Sequence, residues 1–234
     1  MGRRWADRVA GAAGVLAFAG YARIAVGRRT RVHEEQTGTS GHVGPAWAEA
    51  TGDERRAWSV HGVGTFLVAA GPLLQAIGVV RPVTRLRSGR TQVAGLVLAG
   101  LAVAGTYRSQ LAMGESWRIG VDTDERTDLV TNGPFGVVRN PIYSCLLAYG
   151  LGTAALTPNP VSLAGLVLSA VGLEQQVRLL EEPYLLQLHG HDYLSWSAGV
   201  GRFVPFVGRR PSRAAVRSID AGATLGRAAV LLAR

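Results

Sequence analysis

The chain contains no lysine, so all 25 of its basic residues are arginines. It carries little charge of either sign, since 18% of its 234 residues are charged and 47% are hydrophobic. The abundance of alanine, glycine and valine indicates that a GC-rich genome, not chemistry, explains the missing lysine. The single cysteine, Cys145, excludes an intramolecular disulfide. These shortages exclude a disulfide scaffold and favour a chain whose apolar segments lie in a lipid environment.

Long windows of the sequence contain almost no charge. Residues 60–80 hold no Asp, Glu or Arg, and a helix rising about 1.5 Å per residue crosses a hydrocarbon core of roughly 30 Å over such a length. The further apolar segments are 9–26, 91–107, 143–156 and 161–173. The last two flank the turn signal Thr157-Pro-Asn-Pro160 and predict a helical hairpin. The sequence therefore predicts an all-α, multi-pass integral membrane protein with about five transmembrane helices.

The first segment has an alternative interpretation. Arg3, Arg4 and Arg8 precede an apolar run rich in small residues, which is also the pattern of a secretory signal peptide. The later spans favour a first transmembrane helix. We expect three regions: helices and a polar loop over 1–107, a connector, hairpin and C-terminal segment over 108–205, and a basic tail over 206–234.

The net charge of +9 has two possible explanations, a nucleic-acid partner or a membrane surface. The arginines lie in short loops beside apolar spans, where orientation rules and anionic lipid headgroups account for them, and this disfavours nucleic acid. Most arginines fall on one side if the N-terminus is outside. We therefore expect a bacterial cell-membrane protein with a cytoplasmic C-terminus.

Glycines and the tail give weaker indications. Gly95, Gly100 and Gly105 in the third span most simply permit close helix packing. Residues 212–234 predict a surface amphipathic helix, with a disordered tail as the alternative.

Two prolines shape a connector before the hairpin. Pro134 and Pro141 each fix φ, remove a backbone donor and bias the preceding residue away from helix. The segment between them is therefore predicted to be a shaped turn. Such a turn would direct Arg139, Asn140 and Tyr143 towards one small space.

A second polar cluster follows the hairpin. Glu174, Arg178 and the pair Glu181 and Glu182 recur at helical spacing, which predicts a shared face and a Glu174–Arg178 pair. Such a face is also typical of a solvated juxtamembrane helix with no chemical role. Pro183 predicts a new short helix over 184–189, and Gly190 is predicted to end it.

In order, these motifs resemble the isoprenylcysteine carboxyl methyltransferase family and the related phospholipid N-methyltransferases. The resemblance rests on Gly133-Pro-Phe, Arg139-Asn-Pro-x-Tyr143, Arg178-x-x-Glu-Glu182, Gly190-x-x-Tyr193 and Arg202-Phe-x-Pro205. It implies a membrane-embedded methyltransferase that uses S-adenosylmethionine without a Rossmann domain. It implies a lipophilic acceptor, either an isoprenoid-linked carboxylate or a lipid headgroup, that arrives from the bilayer.

The resemblance also implies roles for particular residues. The expected catalytic residues are Arg139, Glu182 and Arg178. The expected cofactor-binding residues are Gly133, Pro134, Phe135, Arg139, Asn140, Tyr143, Glu181 and Glu182. We expect no metal, because His189, His191 and Asp192 do not form a convincing ligand set.

The sequence departs from the family pattern at two positions. Asn140 stands where the family usually has histidine, so a titrating role is lost while hydrogen bonding remains. Trp196 stands where a second tyrosine is common. Two alternatives stay open: an NADPH-dependent membrane reductase of the sterol-reductase type, and a non-enzymatic membrane protein.

Overall fold

The computed structural model describes residues 2–38, 51–117 and 128–209, and within them it is built of helices and contains no β-strand. The seven α-helices are α1 (Gly2–Tyr21), α2 (Arg29–Thr37), α3 (Gly52–Ala76), α4 (Gly89–Met113), α5 (Pro141–Leu156), α6 (Pro160–Gln176) and α7 (Glu182–Gly199). Two π-helical segments, Ala22–Arg28 and Val177–Glu181, join α1 to α2 and α6 to α7. The predicted all-α class and the predicted α5–α6 hairpin are confirmed.

Three continuous helical stretches among the described residues are long and apolar enough to cross a membrane: Arg4–Thr37, Gly52–Ala76 and Pro160–Gly199. Pro141–Leu156 is apolar but shorter. Large apolar side chains such as Leu16 remain mostly exposed on the outside of the bundle, where lipid tails would cover them. The chain is an integral membrane protein, and its five crossings stay a prediction.

The helix starts follow local chemistry. Thr51 and Glu54 form a capping box at the start of α3, with Glu54 N donating to Thr51 Oγ1 at 3.3 Å. Ser88 caps α4 in the same way through Thr91. At the hairpin, Asn159 Oδ1 accepts from two backbone N–H groups of α6, and its amide also donates to the Gly71 carbonyl at 3.1 Å. The tight hairpin turn is therefore fixed to α3.

Small residues let the helices approach closely. A Cβ added at Gly64 of α3 would lie 2.3 Å from the Ser169 nitrogen of α6, and one added at Gly95 of α4 would lie 2.5 Å from the Gly152 carbonyl of α5. The predicted packing role is confirmed for Gly95. At Gly105 an added Cβ would lie 2.7 Å from Cys145 Sγ, which also agrees with the prediction. Gly100 does not agree with the prediction, because a Cβ there would meet no atom of the described residues within 4 Å.

Two predictions concern helix ends. The apolar segment 60–80 does not form one helix, because α3 ends at Ala76 and Gly78 has a φ of 84°. Gly78 therefore turns the chain before the apolar run is complete. The predicted helix end at Gly190 is wrong, because the φ of 49° breaks the helical backbone only at that residue and α7 continues to Gly199.

Different polar contacts mark the two ends of the helical bundle. At one end Arg87 pairs with Asp7 at 2.6 Å, and the Val83 nitrogen donates to the Pro158 carbonyl of the hairpin turn. The start of α5 and the end of α6 lie at the opposite end, together with the connector. Both predicted polar clusters therefore share one end. The predicted tail helix over 212–234 lies outside the described residues.

Candidate active site

The connector before α5 is a shaped turn, as predicted. Gly133 has a φ of 55° and opens a 3₁₀ turn, Gly133–Gly136, with Pro134 in its first positions. The Arg139 nitrogen then donates to the Gly201 carbonyl at 2.7 Å, and the Asn140 nitrogen donates to the Arg202 carbonyl at 3.1 Å. The backbone that follows α7 is thus held by hydrogen bonds against the connector, at the polar end of the hairpin.

Arg139 and Glu182 form a buried ion pair at this junction. Arg139 is 4% exposed and Glu182 is 2% exposed, and Arg139 Nη2 donates to Glu182 Oε1 at 2.7 Å. Nη2 also donates to the Gly208 carbonyl, while Nη1 donates to the carbonyls of Ser197 and Val200. Arg139 Nε has no hydrogen-bond partner among the described residues. The guanidinium therefore clamps three parts of the C-terminal segment to the connector.

Arg202 extends the ion pair towards the surface. Its Nε and Nη2 donate to the two carboxylate oxygens of Glu182 at 2.8 and 3.0 Å, and Nη1 donates to Glu174 Oε1 at 2.6 Å. Burial lowers the pKa of Arg202, but hydrogen bonds and attraction from Glu182 and Glu174 outweigh it and raise the pKa above its ordinary value. Glu174 also pairs with the exposed Arg178 at 2.9 Å, which confirms the predicted pair. Alternating charges thus link Arg139 to Arg178.

The Glu181 carboxylate has different hydrogen-bond partners from that of Glu182. The Tyr143 hydroxyl donates to Glu181 Oε1 at 2.5 Å, and Gln176 Nε2 donates to the same oxygen at 3.0 Å and to the Tyr143 oxygen at 3.2 Å. The expected single face for the two acids is therefore wrong, because Glu182 joins the arginines and Glu181 joins Tyr143. The π-helical segment Val177–Glu181 explains this, since residues five apart, such as Gln176 and Glu181, face each other in a π turn.

A cavity of about 330 Å³ lies beside these residues, within the size range of small-molecule sites. Five of the predicted site residues line it: Phe135, Arg139, Asn140, Tyr143 and Glu181. Four others do not line it: Gly133, Pro134, Arg178 and Glu182. The polar lining combines two carboxylates, of Asp128 and Glu181, with one guanidinium, the His61 imidazole and several neutral amides and hydroxyls. Such a lining suits a ligand with both donors and acceptors.

Sequence reasoning missed the contribution of the N-terminal half. Residues of α1, α3 and α4 and of the segments after α1 and α4 line the cavity: Tyr21, Ala25, Val26, Trp58, His61, Gln110, Met113, Ser116 and Trp117. Ser116 and Trp117 belong to a stretch, 116–122, that resembles bacterial members of the family, whereas the other positions look like ordinary span residues and no motif marks them. Gln176, also missed, carries a weak signal as a buried amide at the end of an apolar helix.

Aromatic side chains form much of the remaining wall. Trp117 is 1% exposed, and the buried Arg29 guanidinium stacks over its ring at 5.0 Å. Trp196 Nε1 donates to the Phe135 carbonyl at 3.3 Å, and its ring packs edge-on against Tyr193. Both indoles are thus fixed in orientation, and they present planar apolar surfaces to the cavity.

Comparisons with known proteins agree with the predicted resemblance. Residues 91–192 match the family model described as phospholipid methyltransferase. Protein-S-isoprenylcysteine O-methyltransferase B of Arabidopsis thaliana is 32% identical over 89 residues, which cover 38% of this chain and 45% of that protein. Protein-S-isoprenylcysteine O-methyltransferase of Saccharomyces cerevisiae is 29% identical over 112 residues, which cover 46% and 47%. The chain thus spans about half the length of these relatives.

A solved structure shares the fold. It is that of the eukaryotic intramembrane Ras methyltransferase ICMT, an isoprenylcysteine carboxyl methyltransferase, with a TM-score of 0.53 and 18% identity. The similarity covers 85% of this chain and 70% of that chain. The predicted resemblance to the isoprenylcysteine carboxyl methyltransferase family is confirmed.

Proposed function

We propose that this chain, which resembles the isoprenylcysteine carboxyl methyltransferase family, is a membrane-embedded methyltransferase that uses S-adenosylmethionine to methylate a lipophilic acceptor. The observation that carries the proposal is the cavity at the polar end of the bundle. The Tyr143–Gln176–Glu181 group and the Arg139 side chain converge on it. The matched relatives support the same reaction class.

The residues present fit the cofactor. S-adenosylmethionine carries a cationic ammonium, a carboxylate, a ribose diol and an adenine ring. Glu181 offers a carboxylate to the ammonium or ribose hydroxyls, Arg139 Nε is a buried donor without a partner among the described residues, and the indoles suit a planar ring. Asn140, which lines the same cavity, would add a hydrogen bond without titrating.

When bound, the cofactor supplies a methyl group on a positively charged sulfur. The chain's own task is then alignment and exclusion of water. Tyr143 and Gln176 hold the Glu181 carboxylate in place, and hydrogen bonds from Arg139 and Asn140 hold the C-terminal segment against the connector. An anionic acceptor needs no general base, whereas an amine acceptor would need one.

The three predicted catalytic residues have different relations to the cavity. Arg139 lines it and is the one that can touch a ligand there. Glu182 would act through Arg139, because its carboxylate holds that guanidinium. Arg178, whose side chain is 56% exposed, would act only through Glu174 and Arg202. We therefore propose Arg139 as the contact residue and the other two as positioning residues.

The acceptor would arrive laterally from the bilayer. The cavity wall includes apolar residues of several helical segments, among them Val26, Met113 and Ile142, and the outer helix surfaces are apolar as well. We place the polar end in the cytoplasm, because the arginine-rich connector and tail belong there by the positive-inside rule. The comparisons do not favour the reductase alternative.

Calorimetric titration of S-adenosylmethionine into the purified, detergent-solubilised protein tests the proposal. We expect binding, and we expect Glu181→Gln to weaken it at least about tenfold, or about 1.4 kcal/mol. Glu174→Gln is the matched control, since Glu174 does not line the cavity. No binding by the unaltered chain, or equal losses in both variants, would refute the site.

Incubation of membranes containing the protein with methyl-labelled cofactor then identifies the acceptor. A labelled lipid or isoprenoid product, resolved by mass spectrometry, is the expected result. A cofactor-binding protein that labels no lipophilic product would contradict the acceptor class.

A further inference from the structure

Two buried amides line the cavity with carbonyl oxygens that have no hydrogen-bond partner among the described residues. Gln110 of α4 is 5% exposed and Gln176 of α6 is 3% exposed, and the unpartnered atom is Oε1 in both. A buried acceptor left unpaired is costly, so such atoms normally have a partner. Both amides belong to a site where a ligand can supply that partner.

The orientation of each amide is fixed by its other end. Gln110 Nε2 donates to the Ala25 carbonyl at 2.7 Å, and a carbonyl can only accept, so nitrogen must occupy that position. Gln176 Nε2 donates to the carboxylate of Glu181, which imposes the same constraint. Both Oε1 atoms are therefore committed acceptors. The complementary ligand must present hydrogen-bond donors at two places.

The surroundings of the two acceptors differ in charge. Gln176 contacts the Glu181 carboxylate, which suits a cationic donor such as an ammonium. Gln110 contacts a neutral carbonyl, which suits a neutral amine. Met113 and Trp117, which follow Gln110 closely in the chain, also line the cavity and offer apolar surface to a flat ring.

On the basis of the proposed function, we propose that Gln110 accepts a hydrogen bond from the exocyclic 6-amine of the adenine ring. Gln110 is then the residue that distinguishes adenine from a purine with an oxygen at that position. Gln176 and Glu181 take the ammonium end of the same ligand. A single extended molecule thus donates hydrogen bonds to both Oε1 atoms.

Two probes that differ at this one functional position test the assignment. S-adenosylhomocysteine carries the 6-amine, and S-inosylhomocysteine carries a carbonyl oxygen that would face the oxygen of Gln110. Calorimetry on the full chain in detergent should show a preference for the adenine form of at least about tenfold. In Gln110→Met, which keeps an unbranched side chain, the preference should fall below about threefold.

Gln176→Met is the matched control, because it removes the other Oε1 atom that has no hydrogen-bond partner among the described residues. It should weaken both probes alike and leave the preference intact. The ratio of affinities separates recognition from structure, since loss of the Gln110–Ala25 hydrogen bond alone would weaken both probes equally. An unchanged ratio in Gln110→Met overturns the inference while leaving the proposed function standing. Failure of the unaltered chain to bind S-adenosylhomocysteine would overturn both.

Discussion

Replacing Glu182 with glutamine should destabilise the protein far more than the same change at Glu174. Glu182 is 2% exposed and its carboxylate neutralises both Arg139 and Arg202, so the change leaves buried positive charge uncompensated. Removing one partner of a buried pair typically costs about 3–5 kcal/mol. Glutamine retains one acceptor oxygen, so we expect a value near the lower end of that range.

Glu174 provides the comparison within the same network. Its side chain is 40% exposed and bonds to Arg178 and Arg202. Solvent screens such pairs, so Glu174→Gln should cost at most about 1 kcal/mol. In a chain of this size each kcal/mol shifts the unfolding temperature by about 2–4 °C. We therefore expect a fall of about 6–12 °C for Glu182→Gln and less than about 4 °C for Glu174→Gln.

The single cysteine provides a labelling site with which to measure unfolding. Cys145 is half-buried at the start of α5 and packs against α4 at Gly105. A thiol-reactive fluorophore therefore reports unfolding of the detergent-solubilised protein at one defined position. The double variant Arg139→Gln with Glu182→Gln should lose less than the sum of its single changes, because it removes both charges of the pair.

Equal melting shifts for Glu182→Gln and Glu174→Gln would refute the reasoning, because burial would then have no influence on the cost. Full additivity in the double variant would also contradict it, because the two side chains would then be energetically independent.

Two further predictions concern packing and ligand binding. Gly64→Ala should destabilise the protein by about 1–3 kcal/mol, since its Cβ would overlap a backbone nitrogen of α6. Gly62→Ala, whose Cβ would meet no described atom within 4 Å, should be neutral or stabilise α3 by up to about 1 kcal/mol. Equal melting temperatures for the two variants would contradict this packing argument. Tyr143→Phe removes the hydroxyl that donates to Glu181 and should weaken S-adenosylmethionine binding about tenfold, in line with hydrogen bonds to charged groups; calorimetry showing full affinity would exclude a role for this hydroxyl.

Much of the fold was predictable because lipid restricts the chain to helices with few polar interruptions. Each predicted apolar segment lies largely within a described helix, and the hairpin turn was predicted from its prolines. The boundary after α3 was not, since Gly78 ends the helix by adopting a left-handed backbone while the apolar run continues. Hydropathy reports where a segment can be buried, and backbone geometry decides where the helix stops.

The candidate site was predictable only in its local parts. Pro134 and Pro141 fixed the connector, and the shared end of the bundle follows from antiparallel packing. The partition of Glu181 and Glu182 between two groups was not predictable, because it depends on a π turn that helical spacing does not reveal. The contribution of Gln110 depends on how α4 packs against the segment after α1, which is a tertiary property.

The π turn Val177–Glu181 gives this part of the chain an unusual sensitivity to length. The π turn already holds one residue more than an α turn, and successive side chains of an α-helix are rotated by about 100°, so a further inserted residue would turn all that follows out of phase with the membrane-bound half. Tyr184 and Trp196 would leave the cavity wall together, although no side chain had been substituted. A single-residue insertion at this junction should therefore cost more than a single-residue deletion, which the π turn can absorb by becoming an α turn.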